Sequence, residues 1–248
     1  MTAERTYPAH AGSDKTENQP KRPLLVSFSG MDGCGKTTQI QNLRTLIAGL
    51  GLNDTLVTFW DNVVVLSRYR EGFVHVVYGS ERGIGSPTRP VNRRDKNVRA
   101  GYLTVMRHLL YLLDAIHLRL IVRRLKRSGC DAIIFDRYIY DEWANLPLDN
   151  PLTRLYLLLV KKLAPQPDLA LLLDADPDAA RARKPEYPVE FMHKCRRAYF
   201  ELAHILRSIT AVPPLPLPDA KQEVELLFME KLQGETPSRA PHDASPAA

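Results

Sequence analysis

Apolar positions in this chain fall into two patterns, short continuous runs and longer stretches with a repeat of three to four residues. The short runs are rich in Val, Ile, Leu and Phe, which is typical of strands buried on both faces of a parallel sheet. They cover residues 23–29, 55–59, 131–135 and 168–173. Helical repeats cover residues 36–50, 102–127 and 188–207. The alternation predicts an α/β domain whose sheet has helices on both faces.

The end of the patterned region predicts one more strand and one more helix. Residues 212–218 are rich in proline, and since proline cannot donate to a strand ladder, they fit only an edge strand. Asp219 and Gln222 have the spacing of a capping box, which predicts a last helix that begins there and runs to Leu232. The expected sheet therefore has five strands.

Composition limits the class of protein. The chain has 248 residues, 44% apolar and 25% charged, which excludes fibrous and wholly disordered proteins. Residues 1–22 and 235–248 are predicted to be disordered tails around a single domain, 23–234. No apolar run approaches the roughly 20 residues that span a bilayer, and the polar start lacks the apolar segment of a secretory signal. We expect a cytoplasmic protein without a membrane partner.

Cysteine and charge narrow the chemistry. The three cysteines lie far apart, which fits neither a disulfide framework nor zinc-ligand spacing. The net charge is +6, yet residues 68–127 contain 14 basic and 4 acidic residues, a local +10. Such an excess favours an anionic partner, either a phosphorylated small molecule or nucleic acid. Residues 79–97, a basic stretch without clear period, are predicted to form a long loop.

The strongest motif lies between the first strand and the first helix. The segment from Gly30 to Thr37 matches GxxxxGK[ST] in the strand–loop–helix context that a phosphate-binding loop requires. Its backbone amides and the helix start favour phosphate oxygens. Lys36 is predicted to reach the β- and γ-phosphates of ATP, and the Thr37 hydroxyl to bind Mg²⁺. The predicted ATP-binding residues are Gly30, Met31, Asp32, Gly33, Cys34, Gly35, Lys36, Thr37 and Thr38.

Two further groups of residues fit the same chemistry. Asp136 ends the third predicted strand, where a carboxylate can hold Mg²⁺, and Arg137 can clamp a phosphate with its planar donors. Arg181 and Arg183 follow the fourth strand and offer two more cations that can bind phosphate oxygens. Taken alone, the first pair also fits a surface ion pair and the second a solvated helix end.

These segments resemble the thymidylate kinase family. The resemblance covers the loop from Phe28 to Gln39, the Asp136-Arg137-Tyr138 motif, residues 168–181 and residues 197–203. It implies a three-layer P-loop kinase fold with a five-stranded parallel sheet, ATP and Mg²⁺ dependence, a nucleoside monophosphate acceptor with dTMP as first candidate, and a homodimer. The implied catalytic residues are Lys36, Asp32, Arg137, Arg181 and Arg183, with Asp32 facing the sugar hydroxyl of the acceptor. The resemblance also implies a mobile lid near residues 181–188, which carries Arg181 and Arg183.

The acceptor side departs from that family. Its Arg-Glu-Pro type segment does not follow the second strand, and Asp114 stands near the place of a family arginine on the long helix. We expect Arg68 or Arg70 to substitute in acceptor binding, alongside Arg137. Tyr138 and Trp60 are candidates for stacking on a base.

Other functions fit parts of the sequence. Asp61, directly after the second strand, could serve as general base in a deoxynucleoside kinase, because a sugar hydroxyl must lose a proton on phosphorylation. The basic stretch could instead serve a nucleic-acid-binding module, whose affinity would fall steeply with salt. A third alternative is a protein that binds nucleotide without catalysis. Catalysis explains more of the motifs than these alternatives do.

Overall fold

The computed structural model describes residues 22–67, 70 and 101–234, with the backbone alone for 101–104. Within them, five strands form one parallel sheet in the order β2-β3-β1-β4-β5. The strands are β1 (Leu24–Ser29), β2 (Asp54–Thr58), β3 (Ala132–Asp136), β4 (Leu169–Leu173) and β5 (Thr210–Val212). Every strand pairing is parallel, which confirms the predicted sheet.

Helices cover both faces of the sheet, so the domain has three layers. The helices are α1 (Lys36–Gly49), α2 (Phe59–Asn62), α3 (Gly101–Leu125), α4 (Ile139–Trp143), α5 (Pro151–Val160), α6 (Pro177–Arg183), α7 (Val189–Leu206) and α8 (Leu217–Leu232). Apolar side chains of α1 and α8 pack on one face, and those of α3, α4, α5 and α7 pack on the other. Because both faces are covered, all five residues of β4 are buried.

The structure differs from the sequence prediction at the edge strand, at the start of the last helix and at α5. The edge strand is Thr210–Val212 and stops before the prolines, which lack the amide hydrogens that pairing needs. The last helix begins at Leu217 after Pro216, without a side-chain cap, so the predicted capping box at Asp219 is wrong. Helix α5 was not predicted; it begins with the Asn150 side chain accepting from the Leu152 amide and Pro151 in its first turn.

The strand register places the predicted motifs at one edge of the sheet. β1 lies between β3 and β4, with Phe28 opposite Asp136 and Ser29 opposite Leu172. The phosphate-loop motif, Asp136-Arg137 and the segment leading to α6 therefore leave the carboxyl ends of three adjacent strands. No helix among the described residues is both long and apolar enough to cross a bilayer.

Candidate active site

The loop from Gly30 to Gly35 joins β1 to α1 through backbone conformations that favour glycine. Gly30, Gly33 and Gly35 have positive φ angles, and Gly35 precedes the first residue of α1, which is Lys36. At Gly30 a Cβ would meet the Leu173 carbonyl oxygen and the Cys34 sulfur. The loop is thus pressed against the end of β4, and a larger residue at position 30 would push it away.

Lys36 lies inside this loop. Its side chain is 8% exposed, and Nζ donates to the carbonyl oxygens of Gly30 at 2.8 Å and Met31 at 2.9 Å. Cys34 Sγ is a third, weaker neighbour of Nζ at 3.7 Å. The ammonium group is therefore held by the loop that we expect to bind phosphate.

Helix α6 contacts the same loop from outside. Arg183 Nε donates to the Gly33 carbonyl oxygen at 2.8 Å. A Cβ at Gly33 would collide with the carbonyl oxygen of Ala180, so the close approach of α6 requires glycine at position 33. Arg181 is half-buried, and its Nε has no hydrogen-bond partner among the described residues. The structure thus places both predicted lid arginines on the helix that covers the loop.

Asp32 and Arg137 form an ion pair across the site. Arg137 Nη2 donates to Asp32 Oδ1, and Lys184 Nζ lies 3.9 Å from the same oxygen. Burial alone would lower the pKa of the Arg137 guanidinium, but the carboxylates of Asp141 and Asp32 raise it above its usual value. The acidic residue of the loop therefore lies between two cations, which offsets its repulsion of phosphate.

Arg137 also has an unusual backbone conformation. Its φ is 65°, in the left-handed region that residues other than glycine rarely adopt. Its amide donates to the Phe28 carbonyl oxygen at 3.0 Å, which anchors the turn to β1. Such strain persists only where the surroundings hold it and is concentrated at functional sites.

A buried carboxylate that the sequence analysis did not select lies beside Arg137. Asp141, in the first turn of α4, accepts hydrogen bonds from Arg137, Ser29 and Tyr199. The position of Asp141 four residues after Arg137 is the available sequence signal. Tyr199, 58 positions away on α7, gives no local signal.

A second unpredicted ion pair ties the end of β4 to α7. Arg196 donates from Nε and Nη2 to the two oxygens of Asp174, both at 2.7 Å. Asp174 follows β4 directly, and its amide donates to the Val212 carbonyl oxygen. Such two-pronged pairs fix orientation as well as charge, so α7 is held beside the segment that leads into α6.

The predicted metal ligands lie on neighbouring elements. Thr37 is exposed in the first turn of α1, and Asp136 is half-buried at the end of β3, next to β1. Together they offer one hydroxyl and one carboxylate oxygen, donors that Mg²⁺ accepts when phosphate and water complete its coordination. The described residues contain no cluster of three His, Cys, Asp or Glu that could hold a metal unaided.

Among the described residues, the predicted acceptor residues Arg70 and Tyr138 are engaged within the fold. Arg70 makes a two-pronged ion pair with buried Asp114 at 2.8 and 3.0 Å, so this pair occupies both terminal nitrogens that acceptor binding would use. Tyr138 is fully buried and donates to the Pro165 carbonyl oxygen; its predicted stacking on the acceptor is wrong, because the ring is part of the core. Arg68 and the basic segment 79–97 lie outside the described residues.

Asp61, the candidate general base of a deoxynucleoside kinase, is part of the described structure. Asp61 is exposed in α2, at the carboxyl end of β2. Trp60 beside it is 36% exposed. Both lie at the same edge of the sheet as the phosphate-loop motif.

This protein has the fold and site of a P-loop kinase. Its phosphate-loop motif follows the central strand, an Asp-Arg pair follows the neighbouring strand, and a helix with two arginines lies over the loop. Comparison with curated proteins gives the family. A protein named probable thymidylate kinase from Archaeoglobus fulgidus is 31% identical over 210 residues, which are 81% of this chain and 92% of that protein. This chain belongs to the thymidylate kinase family, and it is a nucleotide kinase.

Other relatives are more distant or cover less. A probable thymidylate kinase from Methanosphaera stadtmanae is 23% identical over 206 residues, covering 81% of this chain and 94% of that protein. A thymidylate kinase from Xanthomonas campestris is 29% identical over 165 residues, which are 64% of this chain and 60% of that protein. No protein-family model matches the chain.

Proposed function

We propose that this protein transfers the terminal phosphoryl group of ATP to the phosphate of a nucleoside monophosphate, with dTMP as the acceptor. The observation that carries the proposal is that Arg137 and Arg183 converge on the phosphate-loop motif, at Asp32 and Gly33 respectively. The relatives from Archaeoglobus and Methanosphaera are both named probable thymidylate kinases, which supports dTMP over other monophosphates.

The donor side would be held by residues 30–38. Backbone amides of the loop and the start of α1 would bind the ATP phosphates, and Lys36 would exchange its carbonyl partners for phosphate oxygens. Thr37 and Asp136 would hold Mg²⁺, which neutralises charge on the phosphates when bound. In the transfer, an acceptor phosphate oxygen forms a bond to the γ-phosphorus as the bond to the ADP oxygen breaks.

Arginines would stabilise the charge that develops during transfer. Arg181 and Arg183 would approach the γ-phosphate from α6, while Arg137 and Asp32 would contact the acceptor side, Asp32 at the sugar hydroxyl. Arginines placed in this way contribute about 10³ to 10⁵ in rate, equivalent to roughly 4 to 7 kcal/mol of barrier. A phosphate acceptor is already ionised, so the mechanism needs no general base.

The test is an ADP-release assay with MgATP and a panel of acceptors. dTMP is expected to react fastest, ahead of dUMP, dCMP and dAMP, with thymidine inactive. Reaction with thymidine but not dTMP would replace the proposal with the deoxynucleoside kinase alternative, and an Asp61→Asn variant would then be inactive. ATP binding without turnover of any acceptor would favour a non-catalytic nucleotide-binding protein.

We also propose that the protein forms a homodimer through α3 and α5. Both helices expose apolar side chains along one side. The two stripes adjoin, because Tyr156 donates a hydrogen bond to the His108 carbonyl oxygen on α3 and Arg119 of α3 donates to the Leu163 carbonyl oxygen just after α5. The exposed residues are Val105, Leu109, Leu113, Ile116 and Leu120, and Leu152, Leu155, Leu158, Leu159 and Leu163. The α3 spacing of four and three residues suits a helix-on-helix seam.

A second copy is the occupant that this face fits best. Each of these ten apolar residues is at least 39% exposed, and a standard interface takes roughly 800 Å² from each partner. An antiparallel arrangement about a twofold axis would keep Arg123 and Arg124 of the two copies apart. Light scattering after gel filtration is expected to give a dimer, and a Leu120→Glu/Leu155→Glu variant a monomer. Leu226→Glu on α8, 47% exposed, is the matched control; a monomeric parent protein would contradict the proposal.

A further inference from the structure

Asp141 is a buried carboxylate whose acceptor capacity is fully used. The residue is 7% exposed. Oδ2 accepts from the Ser29 hydroxyl at 2.7 Å and the Tyr138 amide at 3.0 Å. Oδ1 accepts from the Tyr199 hydroxyl at 2.8 Å and from Arg137 Nη1 at 3.2 Å. With two donors on each oxygen, the carboxylate has one fixed orientation.

The four donors come from segments that border the proposed phosphate and acceptor sites. Ser29 is the last residue of β1, immediately before Gly30. Arg137 follows Asp136 at the end of β3. Tyr199 lies on α7, which also holds the end of β4 through Arg196 and Asp174. Asp141 is thus the point at which the loop strand, the arginine and the helix after the lid are joined.

Arg137 is held at both ends of its guanidinium group. Nη1 contacts buried Asp141, whose side chain is 5% exposed, whereas Nη2 contacts Asp32, whose side chain is 22% exposed on the loop. We propose that Asp141 is a positioning residue for phosphoryl transfer: it fixes Arg137 toward the phosphate-loop motif and ties that orientation to β1 and α7. This inference rests on the role of Arg137 in the proposed function.

The arrangement requires a carboxylate. An asparagine at position 141 would offer one acceptor oxygen, and its NH₂ group would face an N–H donor that cannot accept, either Arg137 or the Tyr138 amide. It would also leave the half-buried Arg137 cation with Asp32 as its remaining close counter-charge. An Asp141→Asn protein therefore keeps the shape of the side chain but releases Arg137 from its orientation.

The main experiment is a double-mutant cycle of Asp141→Asn and Arg137→Ala, assayed for ADP release. Asp141→Asn is expected to lower kcat by about 10- to 100-fold with little change in the KM for ATP. In the Arg137→Ala background the same substitution should have no further effect, because a positioning residue acts only through the group it positions. Asp54→Asn, which breaks a comparable ion pair with Arg44 at the start of β2, is the matched control and should retain kcat.

A second readout does not depend on turnover. Nitrogen-15 NMR of the arginine side chains measures rotation about the guanidinium Cζ–Nε bond, and rotation at Arg137 should be slow in the parent protein and fast in Asp141→Asn. Absence of kinase activity in the parent protein would refute the proposed function, while the NMR result would still decide the positioning role. Fully additive effects in the cycle, or unchanged Arg137 rotation, would overturn the inference.

Tyr199→Phe keeps the experiment decisive if Asp141→Asn does not fold. The substitution deletes one of the two donors to Oδ1, the oxygen that holds Arg137, so the carboxylate keeps its charge but loses part of what fixes its orientation. We expect a kcat lowered several-fold in the parent background and unchanged in the Arg137→Ala background. Equal losses in both backgrounds would show a structural role alone and contradict the proposal.

Discussion

Arg183 donates a hydrogen bond to the carbonyl oxygen of Gly33, 150 positions earlier in the chain, at 2.8 Å. The contact joins helix α6 to the loop that precedes α1. Ala180, one turn earlier on α6, lies so close to Gly33 that a methyl group at position 33 would collide with its carbonyl oxygen. The close approach of α6 to the loop therefore requires glycine at position 33.

Gly33→Ala is expected to lower kcat by about tenfold or more, because the added methyl group displaces α6 and its arginines. Gly51→Ala is the matched control: Gly51 also has a positive φ, but no atom lies within 4 Å of the added methyl group. Both variants should lose about 1 kcal/mol of stability from backbone strain. Steady-state ADP release and urea unfolding separate the two effects, and equal kcat values for the two variants would contradict the lid contact.

Lys36→Ala is expected to lower the rate of ADP release by about 10²- to 10³-fold, since it removes a positioned cation from the phosphate site. The loss of stability should be about 1 to 3 kcal/mol, because the Gly30 and Met31 carbonyl oxygens lose a buried donor. Lys221→Ala, on the surface of α8, controls for loss of a lysine. Turnover within a few-fold of the parent protein would refute the role of Lys36.

Arg70→Met is expected to destabilise the fold by about 3 to 5 kcal/mol, because it leaves the fully buried Asp114 carboxylate without its counter-charge. Arg70→Met/Asp114→Asn should recover much of this loss, since the asparagine oxygen can still accept from the Val65 amide. Urea unfolding measures both values. If Arg70 binds the acceptor, this double variant will show an acceptor KM raised tenfold or more; we expect a KM within about threefold of the parent value.

Cys34 is expected to react slowly with iodoacetamide. Burial raises the pKa of the Cys34 thiol above its usual value, and Lys36 offsets only part of that shift. A raised pKa leaves less thiolate at a given pH, and the thiolate is the reactive form. At pH 8, a variant retaining Cys34 alone should be alkylated more slowly than one retaining Cys130 alone. Equal or faster alkylation of Cys34 would contradict the burial.

The sequence was sufficient for elements whose signal is local. Four strands and three long helices were predicted within a few residues, because their apolar repeat is continuous and glycines mark the ends of some of them. The phosphate-loop motif was recognisable for the same reason, since its glycines, Lys36 and Thr37 are consecutive. The edge strand was predicted at residues 212–218 instead of Thr210–Val212, because the prolines there suggested an edge strand and three residues are too few to show an apolar pattern.

Contacts between distant segments were not predictable from local pattern. The network of Asp141 depends on Ser29 and Tyr199, which are brought together by the order of strands and by α7. The pairing of Arg70 with Asp114 likewise depends on how α3 crosses the sheet, and it changed the interpretation of Arg70. Tyr138 follows a strand in sequence, yet the turn at Arg137 directs its ring into the core.

The central position of β1 has a consequence for how the molecule can open. β1 is hydrogen-bonded on both sides, so the amide hydrogens of residues 26–28 are expected to exchange with solvent only when the whole sheet unfolds. Residues 177–183 form a short helix without strand pairing, and their amide hydrogens should exchange through local opening of that helix. If ATP binds at this edge of the sheet, it should slow amide exchange in α6 while exchange in β1 stays unchanged, because β1 is already protected by the sheet.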